Sequence, residues 1–147
     1  MSTPSYPSKV RAREVDQLTV EEREENLRER FKSSVEYLSL SGGEIAGLLG
    51  FSEATISRHR KEFRNISMRN RRVWETAQLF VEIIENTRRI FYAPRRGKLW
   101  HFTYSHELRA CPIDLLHSAI GLIDLHRYLA HWVEERKVSR YERFNYS

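Results

Sequence analysis

Cysteine occurs once in this chain, at Cys111, so no internal disulfide can form and a reducing, cytoplasmic compartment is expected. A lone thiol with no CxxC pair also removes the commonest zinc frameworks. His101 and His106, like His126 and His131, stand five apart, which on a helix sends the second pair to different faces. Long apolar runs are missing as well. No stretch approaches the ~18 apolar residues of a membrane span, and the opening "MSTPSYPSKVRAR" lacks the apolar core of a secretory signal. A soluble protein with no membrane partner is expected. The chain has no Gly-rich phosphate loop, no nucleophile elbow and no carboxylate pair in a setting that would perturb it. These absences point away from an enzyme, with no catalytic residue, no cofactor and no metal implied.

What is present is charge, unevenly placed. The 147 residues are 40% apolar, enough for one compact domain or for a small module with an oligomerisation element, and carry a net charge of +5. Residues 1–36, 37–63 and 100–147 are each nearly balanced. Residues 64–99 hold nine basic side chains against three acidic ones. Such a patch is either a solvated helix face or a polyanion-binding surface, arginine being the residue suited to phosphate oxygens.

Residues 1–17, with Pro4 and Pro7 among serines and charges, read as a flexible tail. Thr19 with Glu22 forms a capping box that opens a helix. In it Val20, Leu27, Phe31, Val35 and Leu38 recur at steps of seven, four, four and three, making one buried stripe on a charged rod. Four of only six glycines then crowd into residues 42–50. Ser41 with Glu44 is a second capping box, so Gly42 and Gly43 fall in a first turn. Ile45, Leu48 and Leu49 supply an apolar face, and Gly50 ends this short helix where a positive φ is needed. Ser52 is an N-cap for a following helix that turns Ile56 and Phe63 inward.

Two short helices joined by a glycine turn must cross steeply, with a small residue, Ala46, where the backbones approach. Residues 42–61 thus resemble the helix-turn-helix motif of bacterial and phage DNA-binding proteins, the group that includes phage repressors and the DNA-binding ends of resolvases. Ala46, Gly50 and Ile56 hold its fifth, ninth and fifteenth places, supported by Ile45, Leu49 and Phe51. His59 departs from the pattern, in a place usually aliphatic. The resemblance implies a second helix in the major groove, with Ser52, Glu53, Thr55, Ser57 and Arg58 reading bases. It further implies phosphate contacts from Ser41 with its first-turn amides, and from Arg60, Lys61, Arg64, Arg69, Arg71 and Arg72. The competing readings are a helical core hairpin and a protein-binding copy of the same fold.

The rest of the chain is expected to be mostly helical, making a mainly α protein with a DNA-binding domain at 18–66 and a dimerisation domain at 67–147. Val73, Ala77, Phe80, Ile84 and Phe91, with Thr87, form a long helical seam. Around 90–104 a short β-hairpin and an ordinary loop between helices are equally compatible. The first rests on Pro94 and Gly97 as turn residues, the alternation of Trp100, Phe102 and Tyr104, and a wing-like tip of Arg95, Arg96 and Lys98. Pro112 opens a last long helix that is apolar nearly all round. The partner expected to cover it is a second copy, making a homodimer through Phe80, Ile84, Leu116, Ile120, Ile123, Leu129 and Trp132.

The function these residues imply is a sequence-specific transcriptional regulator, a repressor or autoregulator of bacterial, phage or plasmid type. It would bind an inverted repeat in double-stranded DNA as a homodimer, with contact to RNA polymerase as a further mode of control. Two alternatives stay open: a ring-forming small subunit of a phage terminase, which such a helix-turn-helix followed by a helical hairpin also resembles, and a protein-interaction adaptor.

Overall fold

In the computed structural model, which describes residues 18–59, 63 and 67–146 and side chains as far as Lys137, helix α1 (Val20–Leu38) begins at the capping box of Thr19 and Glu22. The 1–17 segment and the positions of Arg60, Lys61 and Arg64 lie outside the described residues. Leu27, Phe31, Val35 and Leu38 are buried as their spacing requires, but Val20 is 54% exposed. The stripe begins instead with Glu24. Its carboxylate accepts the Met68 backbone N–H at 2.9 Å and the Arg69 Nε–H at 3.0 Å, so an ionised side chain closes this end of the core.

Helix α2 (Gly42–Leu49) is capped by Ser41, whose Oγ accepts the Glu44 N–H while Glu44 accepts the Ser41 N–H. Gly50 ends it at φ +79°, in the left-handed region, and its N–H is donated to the Ala46 carbonyl at 2.8 Å. Only Gly50, Phe51 and Ser52 separate α2 from α3 (Glu53–His59). Ile45, Ala46, Leu49 and Ile56 are buried together, and Phe51 is half-buried against them. Phe63 is also buried, edge-on to Phe31 at 5.4 Å; Phe31 meets Phe80 of the next helix at 5.6 Å. This aromatic trio ties α1 to both neighbours.

Helix α4 (Arg71–Ile90) starts at Asn70, whose Oδ1 accepts the N–H groups of Arg72 and Val73. It packs on α1 along one side and on the last helix, α6 (Ala119–Tyr146), along the other. Val73, Ala77, Phe80, Ile84 and Thr87 face inward, and Val81, Ile83 and Ile90 are buried too, which is why its apolar stripe is so wide. A two-bonded ion pair, Arg30 with Glu85, fastens α1 to α4 at 3.0 Å.

No β-hairpin forms near 90–104. Residues Pro94–His101 make a short helix, α5, with Pro94 at its start rather than in a turn. Gly97 is not a turn exit either. It lies buried against α1 and α4, where a Cβ would stand 2.2 Å from the Tyr37 Oη and 2.9 Å from Thr87 Cγ2. Tyr37 donates its hydroxyl to the Pro94 carbonyl at 3.1 Å, fixing the contact. The alternation of aromatics that suggested a strand divides otherwise. Trp100 joins a cluster with Phe91, Tyr128 and Trp132, while Phe102 and Tyr104 are half exposed. Among the described residues the only β pairing is an isolated antiparallel bridge between Ser105 and Ala110.

The last helix does not begin at Pro112. Residues Pro112–His117 form a 3-10 helix, and α6 starts after Ser118, which is extended. The Ser118 hydroxyl accepts the Gly121 N–H at 3.0 Å, and at 121 a Cβ would come 2.4 Å from the Leu115 carbonyl oxygen. Glycine is what allows the two segments to fold back so closely. Leu122, Leu125, Leu129 and Val133 form the inward stripe of α6. No helix among the described residues is long and apolar enough to cross a membrane.

Candidate nucleic-acid interface

The residues proposed for base reading lie on the outer side of α3. Ile56 is fully buried, which holds Ser57 and Arg58 on the exposed side; Ser52 and Glu53 are exposed and Thr55 is half-buried. Ser52 is first of all a cap: its Oγ accepts the Thr55 N–H at 3.2 Å and lies 2.9 Å from the Thr55 hydroxyl. Arg58 and Ser57 are therefore the least committed members of the set. His59, where the pattern is usually aliphatic, is half-buried.

Glu53 and Ser41 both border Gly43. A Cβ on Gly43 would lie 2.9 Å from the Glu53 Oε1 and 3.9 Å from the Ser41 Oγ, so the carboxylate of α3 reaches over the first turn of α2. An anion there is favoured by the helix dipole. A phosphate arriving at Ser41 meets that charge first, and Glu53 must swing away from it to reach a base.

The basic residues at the start of α4 differ in freedom. Arg69 is held by Glu24 at 3.0 Å and approached by Glu21 at 3.5 Å. The Met68 N–H, then Arg69 and Arg28, hold the Glu24 carboxyl below its usual range despite its burial. Arg69 is thus a structural clasp more than an open phosphate ligand. Arg71 pairs with Glu75 at 3.2 Å, with both side chains largely exposed, a contact of little strength. Arg72 has no ion-pair partner among the described residues. A Cβ on Gly50 would lie 3.9 Å from its guanidinium carbon, so this cation flanks the turn between α2 and α3.

Lys98 arrives at the same side by a route the sequence reading missed. Its Nζ lies 3.5 Å from the Ser39 Oγ, two residues before the Ser41 cap, because α5 packs across the end of α1. The signal was Pro94 at a first helical position; read as a turn, it assigned Lys98, Arg95 and Arg96 to a hairpin tip. All three are exposed on α5.

Of the residues expected at a dimer seam, Phe80, Ile84, Leu116 and Leu129 are buried inside the protomer. Trp132 packs among Phe91, Trp100 and Tyr128. Only Ile120 at 76% and Ile123 at 43% exposure present open apolar surface. The reason is that α4, α5 and the 3-10 helix cover α6 on several sides within one chain. Ile123 and Leu116 border a cleft of ≈ 270 Å³ that also takes in Leu48, Leu79 and Arg72.

Two histidines join other helices to α4. His101 is fully buried with its Nε2 2.9 Å from the Thr87 Oγ1 and its Nδ1 without a partner among the described residues. Burial lowers its pKa to about 4. His126 is half-buried and meets the Glu82 carboxylate at 2.6 Å, joining α6 to α4, whereas His117 is exposed.

No protein-family model and no curated protein matches the chain, so its function has to be read from its own residues.

Proposed function

We propose that the protein is a sequence-specific regulator of transcription that binds double-stranded DNA with α3 as its reading helix. The observation that supports this best is the pairing of α2 with α3: a left-handed Gly50, caps at Ser41 and Ser52, and a buried set of Ile45, Ala46, Leu49 and Ile56 that leaves Ser57 and Arg58 outward. That is the arrangement a major-groove helix needs. Arg58 is suited to guanine as a two-pronged donor, and Arg72 and Lys98 flank the helix pair as cations for the DNA backbone.

Symmetric binding to an inverted repeat requires two copies. The exposed Ile120 and Ile123 at the start of α6, beside the cleft lined by Leu48, Leu79 and Leu116, are the surface through which a homodimer would form. Repression by occupying a promoter is the simplest action of such a dimer.

The test is selection of bound sequences from randomised duplex DNA at near-physiological salt, where nonspecific binding is weak. An inverted repeat with half-sites about one helical turn apart, its enrichment lost in Arg58→Ala, is the expected result. A pool with no enriched sequence overturns the reading; clustered direct repeats point instead to a cyclic assembly on DNA.

A further inference from the structure

At the opposite end of α4 from Arg72 and the Gly50 turn, a groove of ≈ 440 Å³ opens between the last turn of α4 and the outer half of α6. Its cations are Arg88, Arg89, Arg136 and Lys137. Ile90 and Val133, both nearly buried, border it as apolar surface, and the Tyr92 side chain at its edge is fully exposed. Residues 86–96 carry four basic side chains and not one carboxylate.

Three of the four cations are held by neutral groups. Arg88 lies 4.7 Å from the centre of the Tyr37 ring and 3.4 Å from the Ser33 hydroxyl. Arg89 donates to the Asn86 amide oxygen at 2.7 Å, and Arg136 donates to the Ile90 backbone carbonyl. No carboxylate among the described residues forms an ion pair with Arg88, Arg89 or Arg136. Lys137 pairs with Glu134 at 3.3 Å, but both are 68% exposed, so the pair is weak. The guanidinium groups are therefore positioned without being neutralised. Like charges brought together in this way raise the energy of the empty groove and favour a polyanion in it.

We propose that this groove binds a single strand of nucleic acid, with phosphates on the arginines and an unpaired base stacked on Tyr92. An unattached aromatic ring beside a cationic track is the combination that suits a strand whose bases are open, since stacking tolerates any base and phosphates supply the charge. A duplex, with its bases already stacked, leaves Tyr92 unused. The site is separate from α3: Arg72, beside the turn that leads into α3, stands at the start of α4 and the groove at its end, and the 20 residues of α4 span ~30 Å, about nine base pairs of duplex.

The experiment is fluorescence anisotropy of full-length protein with a labelled thymidine oligomer of about twelve nucleotides, across a salt series. The expected result is that Arg89→Glu with Lys137→Glu weakens binding at least about tenfold, that Tyr92→Ala weakens it about tenfold even at high salt, and that Arg58→Ala leaves it unchanged. Thermal unfolding of each variant, with Arg89→Gln and Lys137→Gln as a milder pair, separates a binding loss from misfolding. Affinity unmoved by the charge variants overturns the proposal. So does competition by inorganic tripolyphosphate equal to that of the oligomer together with an inert Tyr92→Ala, or tighter binding of a blunt duplex of the same length. Because Arg58→Ala reports on α3 alone, failure of this site and failure of the duplex-reading proposal are distinguishable.

Discussion

His101 should make the protein lose stability in mildly acidic solution, and replacing it should remove that loss. The Thr87 hydroxyl donates to the Ile83 carbonyl at 2.8 Å, so it can only accept from His101, whose Nε2 must carry the proton. Protonation would place a second N–H on Nδ1, where there is no acceptor, and a charge in the core. The folded pKa of about 4 against 6.5 in the unfolded chain means the unfolded state binds more protons as pH falls. Stability is thus fully present above pH ~6.5 and is lost progressively towards pH ~4. Linkage between those values gives a loss of ~2 kcal/mol from pH 7 to pH 4.5. In urea that is a midpoint shift of ~1 M. The perturbation is His101→Phe, which fills a similar volume and forfeits at pH 7 a hydrogen bond worth ~1 kcal/mol. The assay is urea unfolding of both proteins at pH 7, 5.5 and 4.5. Parallel pH dependence in the two proteins would refute the reasoning that burial of an uncharged His101 carries this acid loss.

Other substitutions test the packing. Gly97→Ala should cost ~2–3 kcal/mol, because its methyl would collide with Tyr37 and Thr87 at a helix contact that cannot widen, and a thermal melt reads the drop. Phe31→Ala should cost ~3–5 kcal/mol by emptying the space between Phe63 and Phe80, measurable by chemical denaturation. Glu24→Gln should flatten the acid limb of stability below pH ~4.5, since a carboxyl lowered by the Met68 N–H and by Arg69 stabilises the fold above its unfolded pKa and ceases to as pH falls through the folded one. Equal acid limbs in the two proteins would mean the clasp between α1 and Met68–Arg69 contributes nothing.

Local chemistry was readable without the fold wherever a residue satisfies a neighbour in sequence. The capping boxes of Thr19 and Ser41, the left-handed Gly50 and the Ser52 cap each depend on backbone groups no more than four residues away, and each stands where the sequence indicates. The inward stripe of α1 from Leu27 onward and the seam of α4 are equally local, being set by the helical period. The outward set on α3 follows from the same period, since burying Ile56 turns Arg58 away.

What the period cannot say is which neighbour covers an apolar side chain. The last helix, apolar all round, was matched to a second copy, yet α4, α5 and the 3-10 helix of the same chain cover it, leaving only Ile120 and Ile123 of the expected seam open. Pro94 and Gly97 suit a turn as well as a helix. The choice depends on Tyr37, distant in sequence, which reaches the Pro94 carbonyl and leaves no room for a Cβ at 97. Charge behaves likewise: the excess in residues 64–99 is legible in sequence, but whether each arginine is free depends on partners far along the chain. Arg69 is taken by Glu24 of α1, while Arg88, Arg89 and Arg136 converge on a groove with only neutral holders. Local spacing determined α1, the α2–α3 pair and α4 with their caps and inward faces; the order in which the elements cover one another decided α5 and which apolar faces and which cations remain for a partner, because burial and ion pairing are settled by neighbours in space.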